Sequence, residues 1–172
     1  RLHSIALCVL AAVVGGAAMA AGPAAGAPAD TKSASRIAPD FTLRAAAGEN
    51  LRLSELRGRV VLLNFWSNAC APCRQILPQL GQWQAQYREA GLAVLAINLD
   101  ADAQAARATV ERLALGYPVL LDQDKTVSRA YAPAALPTTV LIDRDGRIRA
   151  VATKDGAADA ALERQVQELL KE

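Results

Sequence analysis

The sequence has 172 residues, of which 52% are hydrophobic, and this is enough to bury one good core in a single domain with an appendage. The formal net charge is only +2 and no run of Lys or Arg stands out, which excludes the charge pattern of a nucleic-acid-binding protein. The composition therefore predicts a partner that is a protein or a thiol, and no nucleic acid.

Residues 1–21 have the pattern of an export signal. An uncharged apolar run over residues 5–21 follows Arg1 and His3, and it contains the A-x-A-like cleavage pattern Ala18-Met19-Ala20. The run of 17 residues is shorter than the roughly 20 that a spanning helix needs, so we predict a cleaved signal peptide, with a retained membrane anchor as the alternative. Export would place the protein in the periplasm or another extracytoplasmic space, where disulfides persist.

Residues 22–36 are predicted to form a disordered linker, because they are rich in Ala, Gly, Pro and Ser and cannot bury a core. The folded domain is then predicted over residues 37–172. It begins with short strands over residues 37–43 and 51–53, which a turn at residues 48–50 joins into an N-terminal β-hairpin. Ser54 follows as the cap of a single helical turn.

Strands and helices alternate through the rest of the domain. Asp102 and Asp124 are the expected N-caps of the second and third helices, Gly116 is the expected end of the second, and Pro78 should kink the first. The final strand pair is a hairpin by the chemistry of its turn at residues 143–146. The predicted fold class is α/β, with a mixed central sheet flanked by helices. The predicted strands cover residues 60–65, 92–99, 118–121, 136–142 and 147–151, and the predicted helices cover residues 70–90, 103–115, 124–131 and 157–170.

The motif Cys70-Ala71-Pro72-Cys73 lies between a buried strand and a helix. If Cys70 is at the helix start, its sulfur faces unpaired backbone N–H groups and the positive end of the helix dipole, which favour a thiolate. Two sulfurs three residues apart in a first turn can also close a disulfide without rearranging the backbone. We therefore predict Cys70 as the nucleophile that forms a mixed disulfide and Cys73 as the more buried thiol that resolves it. Ala71 and Pro72, between them, are predicted to tune the redox equilibrium.

Two other interpretations of the cysteine pair are a structural disulfide and half of a metal site. A tetrahedral zinc site needs four Cys or His ligands, and the chain offers only Cys8, Cys70, Cys73 and His3, two of them in the predicted signal. We therefore predict redox chemistry, with no metal and no cofactor.

Several segments resemble one family in their order and spacing. These are APDF, LRLSELRG, VVLLNFW, CAPCR with Pro78 five residues on, YPVLLD and LPTTVLIDRDG. Over about residues 37–170 the chain resembles the thioredoxin fold, and specifically the exported TlpA/ResA-like thiol-disulfide oxidoreductases. The resemblance implies that Pro137 is a cis proline beside the cysteine pair and that Leu136 presents its backbone to a docking substrate. Trp66 is a candidate for substrate binding, with a role in the core as the alternative.

Three positions depart from or qualify this resemblance. Asn64 stands where cytosolic thioredoxins place a buried Asp, and it is a further candidate for redox tuning. Ala69 stands where the family usually has a Trp, and Ile76 where many members have an acidic residue. These differences leave no obvious carboxylate to take the proton of Cys73 during resolution.

The function predicted from these observations is an exported thiol-disulfide oxidoreductase that reduces protein disulfides, with cytochrome c maturation as one use that the resemblance implies. Its partners would be proteins with disulfides or thiols, and a membrane electron donor would restore the dithiol. One alternative is a non-catalytic binding domain on the same fold. Another is a thiol peroxidase, although the chain lacks a Pro-x-x-x-Thr-x-x-Cys pattern.

Overall fold

The computed structural model of the protein describes residues 36–172. The predicted signal or anchor, and all but the last residue of the predicted linker, lie outside this range. No helix within residues 36–172 is long and apolar enough to cross a bilayer. The strands are β1 Thr42–Arg44, β2 Asn50–Arg52, β3 Val60–Trp66, β4 Leu92–Asn98, β5 Val119–Leu121, β6 Thr138–Ile142 and β7 Ile148–Thr153. The helices are α1 Ala71–Tyr87, α2 Ala103–Leu113, α3 Thr126–Tyr131 and α4 Ala160–Lys171, with 3₁₀ turns at Leu53–Leu56 and Lys154–Ala158.

The main sheet is mixed and has β3 at its centre. Its strand order is β5-β4-β3-β6-β7, with β3, β4 and β5 parallel and with β6 and β7 antiparallel to their neighbours. All residues of β3 and of β4 are buried, as expected for strands covered on both faces. Strands β1 and β2 form a separate antiparallel hairpin. The predicted mixed sheet with an N-terminal hairpin extension is confirmed.

Side chains alternate along β3 between two apolar clusters, one on each face of the sheet. Leu62 and Trp66 point to the face that α1 and α4 cover, where they join Cys73. Leu63 and Phe65 point to the opposite face, which α3 and the N-terminal segment cover. The two layers of helices thus bury the central strand completely and fix where its carboxyl end emerges.

The predicted first strand, residues 37–43, is wrong in extent. Ile37 makes only an isolated bridge with Arg147, and β1 starts at Thr42. Pro39 has no N–H to donate to a neighbouring strand. The next residue, Asp40, instead uses its carboxylate to accept hydrogen bonds from Nε of Arg52 and the N–H of Ser54, both at 2.9 Å.

The helix ends differ from the predicted ones by a few residues. Asp102 caps α2 as predicted, but α2 ends at Leu113 and not at residue 115. Ala114 there adopts a left-handed conformation with φ of 48°, a role that was expected of Gly116. At the other end of the chain, α4 begins only after Asp159, whose carboxylate accepts the N–H of Leu162 at 2.8 Å.

The cap of α3 is also corrected. The buried side chain of Asp122, not that of Asp124, accepts the N–H groups of Val127 at 3.1 Å and Ser128 at 2.7 Å. Asp122 reaches these groups because the turn before α3 folds back over it, with Lys125 in a left-handed conformation. The sequence spacing alone does not distinguish the two aspartates.

This difference between the aspartates is testable. We expect Asp122→Ala to lower the free energy of unfolding by about 2 kcal/mol, because two backbone N–H groups lose their partners. Asp124→Ala is the matched control, and its effect should stay within about 0.5 kcal/mol. Urea denaturation of both variants checks this, and equal losses would contradict the assignment of the cap.

Candidate active site

The two cysteines lie at the start of α1 and are joined by a disulfide, with 5.3 Å between their Cα atoms. Cys70 is the N-cap residue, and its sulfur accepts a hydrogen bond from the N–H of Cys73 at 3.1 Å. Ala71 and Pro72 are exposed in the first turn. Cys70 is half-buried, whereas Cys73 is completely buried. A partner molecule can therefore reach the sulfur of Cys70 more easily than that of Cys73.

The segment before β6 lies at the same edge of the sheet as the cysteine loop. Phe65 pairs with Thr138, so the residues after Phe65 and the residues before Thr138 leave the sheet side by side. The peptide bond between Leu136 and Pro137 is cis, as the resemblance implied. Pro137 is buried and its carbonyl accepts the N–H of Lys154 at 2.9 Å, whereas Leu136 remains partly exposed. Cys70 and Leu136 pack against the same apolar cluster.

Trp66 is completely buried at the end of β3. Its side chain belongs to the cluster on the α1 face, and its indole N–H has no hydrogen-bond partner among residues 36–172. This position favours the core alternative for Trp66, since a docking protein could not contact the ring without moving other side chains.

Asn64 is a completely buried polar residue in the central strand. Its Nδ2 donates to Oγ1 of Thr139 at 3.0 Å, and that hydroxyl donates to the carbonyl of Ala157 at 2.5 Å. Oδ1 of Asn64 has no partner among the residues that the structure describes. The alternation along β3 places Asn64 on the same face as Trp66 and Cys73, so its unpaired oxygen lies on the side of the resolving cysteine.

Two buried tyrosines are hydrogen-bond donors to backbone carbonyls. Burial raises the pKa of Tyr117 and of Tyr131, so both hydroxyls stay protonated. Tyr117 donates to the carbonyl of Leu77 in α1 at 2.8 Å, and Tyr131 donates to that of Pro39 at 2.8 Å. Their role at neutral pH is therefore structural, and neither offers a base for the cysteine pair.

The structure places around the cysteine loop a set of polar residues that were not among the predicted site residues. Asn68, two residues before Cys70, is hydrogen-bonded to Asp100, which follows β4, and to Thr109 in α2. The signal that could have found Asp100 is its position directly after a buried parallel strand, at the edge where functional groups of α/β sheets gather. Thr109 offered no such signal, because a single Thr in a helix has no distinctive spacing.

Comparison with known proteins identifies the family. The family model described as AhpC/TSA matches residues 34–151. The chain belongs to the AhpC/TSA family. Among its relatives is the thiol-disulfide oxidoreductase ResA of Geobacillus kaustophilus, 36% identical over 116 residues, which are 67% of each chain. The ResA of Halalkalibacterium halodurans is 34% identical over 134 residues, which are 78% of this chain and 75% of that one.

Solved structures of family relatives agree with this assignment. A putative thiol:disulfide interchange protein DsbE from Chlorobium tepidum superposes with a TM-score of 0.75 and 36% identity, over 79% of this chain and 96% of that one. The relatives and the disulfide-bonded Cys70 and Cys73 show that the protein is a thiol-disulfide oxidoreductase with a redox-active Cys-x-x-Cys pair.

The buried site of Asn64 predicts a pH-dependent loss of stability for Asn64→Asp. Complete burial should raise the pKa of the new carboxyl in the folded state, whereas the unfolded chain keeps a pKa of about 3.9. Relative to the unchanged protein, the variant should thus be least destabilised below pH about 4. Above this pH, its free energy of unfolding relative to that of the unchanged protein should fall by about 1.4 kcal/mol per pH unit until the folded-state pKa is reached. Urea denaturation between pH 3 and pH 8 measures this.

Asn64→Leu is the control for that measurement, because it removes the amide without adding a titrating group. The difference in stability between Asn64→Leu and the unchanged protein should not vary with pH. If Asn64→Asp shows the same flat profile, then Asn64 is more accessible to water than the structure indicates.

Proposed function

We propose that the protein is exported and reduces disulfides of other proteins outside the cytoplasm. The observation that carries the proposal is the pair of unequal sulfurs at the N-terminus of α1, one half-buried and one completely buried. The uncharged apolar run over residues 5–21 supports export. The relatives named ResA support thiol-disulfide exchange as the chemistry.

The proposed cycle starts from the dithiol form. The thiolate of Cys70 attacks one sulfur of a partner disulfide, and a mixed disulfide forms while the other partner sulfur leaves as a thiolate. Cys73 loses its proton, attacks the sulfur of Cys70 and releases the second partner sulfur, so that the Cys70–Cys73 disulfide is formed. Two electrons pass to the partner, and its two thiolates take up the protons that Cys70 and Cys73 have lost. A dithiol donor in the membrane then reduces the pair again.

The residues before β6 support a docking role in this cycle. The carbonyl of Ala135 accepts the hydroxyl of Thr138 at 2.6 Å, and that of Pro137 accepts the N–H of Lys154. Leu136 lies between Ala135 and Pro137, and neither its N–H nor its carbonyl is hydrogen-bonded to another of residues 36–172. An extended segment of a partner could therefore pair with the backbone of Leu136 beside the half-buried sulfur of Cys70. Trp66 would support this surface from within the core.

The two cysteines should behave differently when each is replaced. Cys73→Ser keeps the nucleophile but cannot resolve the mixed disulfide, so a covalent complex with the partner should accumulate. Both variants also carry Cys8→Ser, so Cys70→Ser leaves only the buried thiol of Cys73 and should form no such complex. Reaction of the full-length variants with oxidised insulin or an oxidised peptide, followed by mass spectrometry, measures this. Accumulation from Cys70→Ser instead would reverse the two assignments.

The direction of electron flow is tested by the redox potential of the pair. We expect a value near or below that of thioredoxin, about −270 mV, because the proposed role is reduction. Equilibration of the protein in glutathione or dithiothreitol buffers, with the thiols quantified by alkylation, gives this value. A result near about −120 mV would make the protein a disulfide donor. A pair that does not cycle at all would instead favour the non-catalytic binding domain.

Cytochrome c maturation is the use that we propose within this function. The resemblance to TlpA/ResA-like oxidoreductases supports it, and so does the predicted export signal. In this role the partner would present a disulfide formed between the two cysteines of a Cys-x-x-Cys-His haem-attachment site. Such a partner is a protein segment whose two cysteines lie three positions apart, and the half-buried sulfur of Cys70 is open to exchange with it.

A further inference from the structure

A group of hydrogen bonds outside the cysteine pair holds the loop that carries Cys70. The loop, residues 67–70, joins β3 to α1 and is closed by a hydrogen bond of 3.2 Å from the N–H of Cys70 to the carbonyl of Ser67. Asn68, inside this loop, uses both its backbone groups and both polar atoms of its side chain in hydrogen bonds to other elements. We call Asn68 and its side-chain partners Asp100 and Thr109 the Asn68 latch.

Asp100 anchors the latch to the edge of the sheet. Its Oδ2 accepts the backbone N–H of Asn68 at 2.9 Å and Nδ2 of Asn68 at 2.8 Å. The same oxygen accepts Nδ2 of Asn98 at 2.8 Å, and Oδ1 of Asn98 accepts the N–H of Asp100 at 3.0 Å. Asn98 is completely buried as the last residue of β4, so the acceptor carboxylate is fixed to the sheet.

Thr109 anchors the latch to α2. It is only 2% exposed, and its hydroxyl donates to Oδ1 of Asn68 at 2.6 Å. The hydroxyl oxygen in turn accepts a hydrogen bond from Arg112 at 3.0 Å. Arg74 of α1 donates to the backbone carbonyl of Asn68. The segment that follows β4 and the helices α2 and α1 therefore hold one residue, which lies two positions before Cys70.

We propose that the Asn68 latch positions Cys70 for closure of the disulfide and thereby sets the redox equilibrium of the pair. The proposal rests on the exchange cycle of Cys70 and Cys73 described above. In the dithiol form no covalent bond keeps the two sulfurs together, so the freedom of residues 67–70 sets the effective concentration of one thiol at the other. Freeing the backbone of even one residue changes an equilibrium constant by roughly tenfold.

A second effect of the latch has the opposite sign. The latch also keeps Cys70 at the N-terminus of α1, which favours the thiolate and hence the dithiol form. However, at a pH no higher than the pKa of the Cys70 thiol, ionisation raises the population of the dithiol form at most about twofold, and the constants are compared at such a pH. The effective concentration therefore decides the direction, and loss of the latch favours the dithiol form.

The test is the equilibrium with glutathione, in which two glutathione thiols reduce the protein disulfide and leave as one glutathione disulfide. All proteins are the full chain with Cys8→Ser, so that only the thiols of the pair react. For Asn68→Ala and for Thr109→Val we expect the constant for disulfide formation to fall about threefold to tenfold, which is a rise in potential of about 15 to 30 mV. Resolution of a glutathione adduct on Cys70 by Cys73 should slow by a similar factor.

The chain offers a control and a rescue. Asp102→Ala removes the N-cap of α2 without touching Asn68, and it should leave the glutathione constant unchanged. Asn68→Asp places a carboxylate against Asp100 and should shift the constant furthest. Thr109→Ser keeps the hydroxyl that Thr109→Val removes, so this variant should recover most of the loss seen in Thr109→Val.

Each remaining outcome has a definite meaning. A normal glutathione constant in a destabilised Asn68→Ala protein would overturn the proposal, because the latch would then be structural only. An equal shift in Asp102→Ala would overturn it as well, since any weakening of α2 would suffice. Failure of the protein with intact Asn68 to equilibrate with glutathione would overturn the exchange cycle itself, and this is seen before any latch variant is made.

Discussion

The site depends on the pairing of β3 along both of its edges. Every residue of β3 from Val60 to Trp66 pairs with β4, and Val61 to Phe65 also pair with β6. A shift of one residue would move every side chain of β3 to the opposite face, which would disrupt the packing of both clusters and separate Asn64 from Thr139. The carboxyl end of β3 is therefore fixed, and the chain has only residues 67–70 in which to turn and begin α1.

That short turn explains why the redox pair and the helix N-terminus coincide. Cys70 is both the last residue of the turn and the N-cap of α1, so its sulfur faces the first N–H groups of the helix. Cys73, in the first turn, points into the cluster beneath α1. The difference in exposure between the two sulfurs thus follows from the helix geometry and does not need a dedicated shield over Cys73.

The last residues of β3 also place unpaired polar atoms in the otherwise apolar core. Three buried side-chain atoms have no partner within residues 36–172, and two of them belong to Asn64 and Trp66 in the last three residues of this strand. An unpaired buried polar group costs about 1 to 3 kcal/mol. Such costs are expected to gather at functional sites, where local stability is given up for chemistry. Asn64 and Trp66 lie on the same face of the sheet as Cys73, and this position agrees with a functional reason for the cost.

Much of the fold could be predicted from the sequence because its signals are local. The apolar runs of β3 and β4, the Asp102 cap and the hairpin turn before β7 each involve neighbouring residues. The cap of α3 could not be predicted in this way, because Asp122 and Asp124 differ only in how the turn folds. The Asn68 latch could not be predicted from the sequence for a further reason. Its members lie 32 and 41 residues apart in the chain, so only the folded structure brings them together.

The small side chain of Ala69 explains why the loop of Cys70 depends on the hydrogen bonds of the Asn68 latch. Where the resembling family usually has a Trp before the first cysteine, a broad ring can hold the loop by packing, whereas Ala69 is small and exposed. Packing contacts are individually weak and tolerate small shifts, but hydrogen bonds lose strength steeply with angle and distance. A loop held mainly by the hydrogen bonds of Asn68 is thus fixed more sharply, and its position responds to single polar atoms.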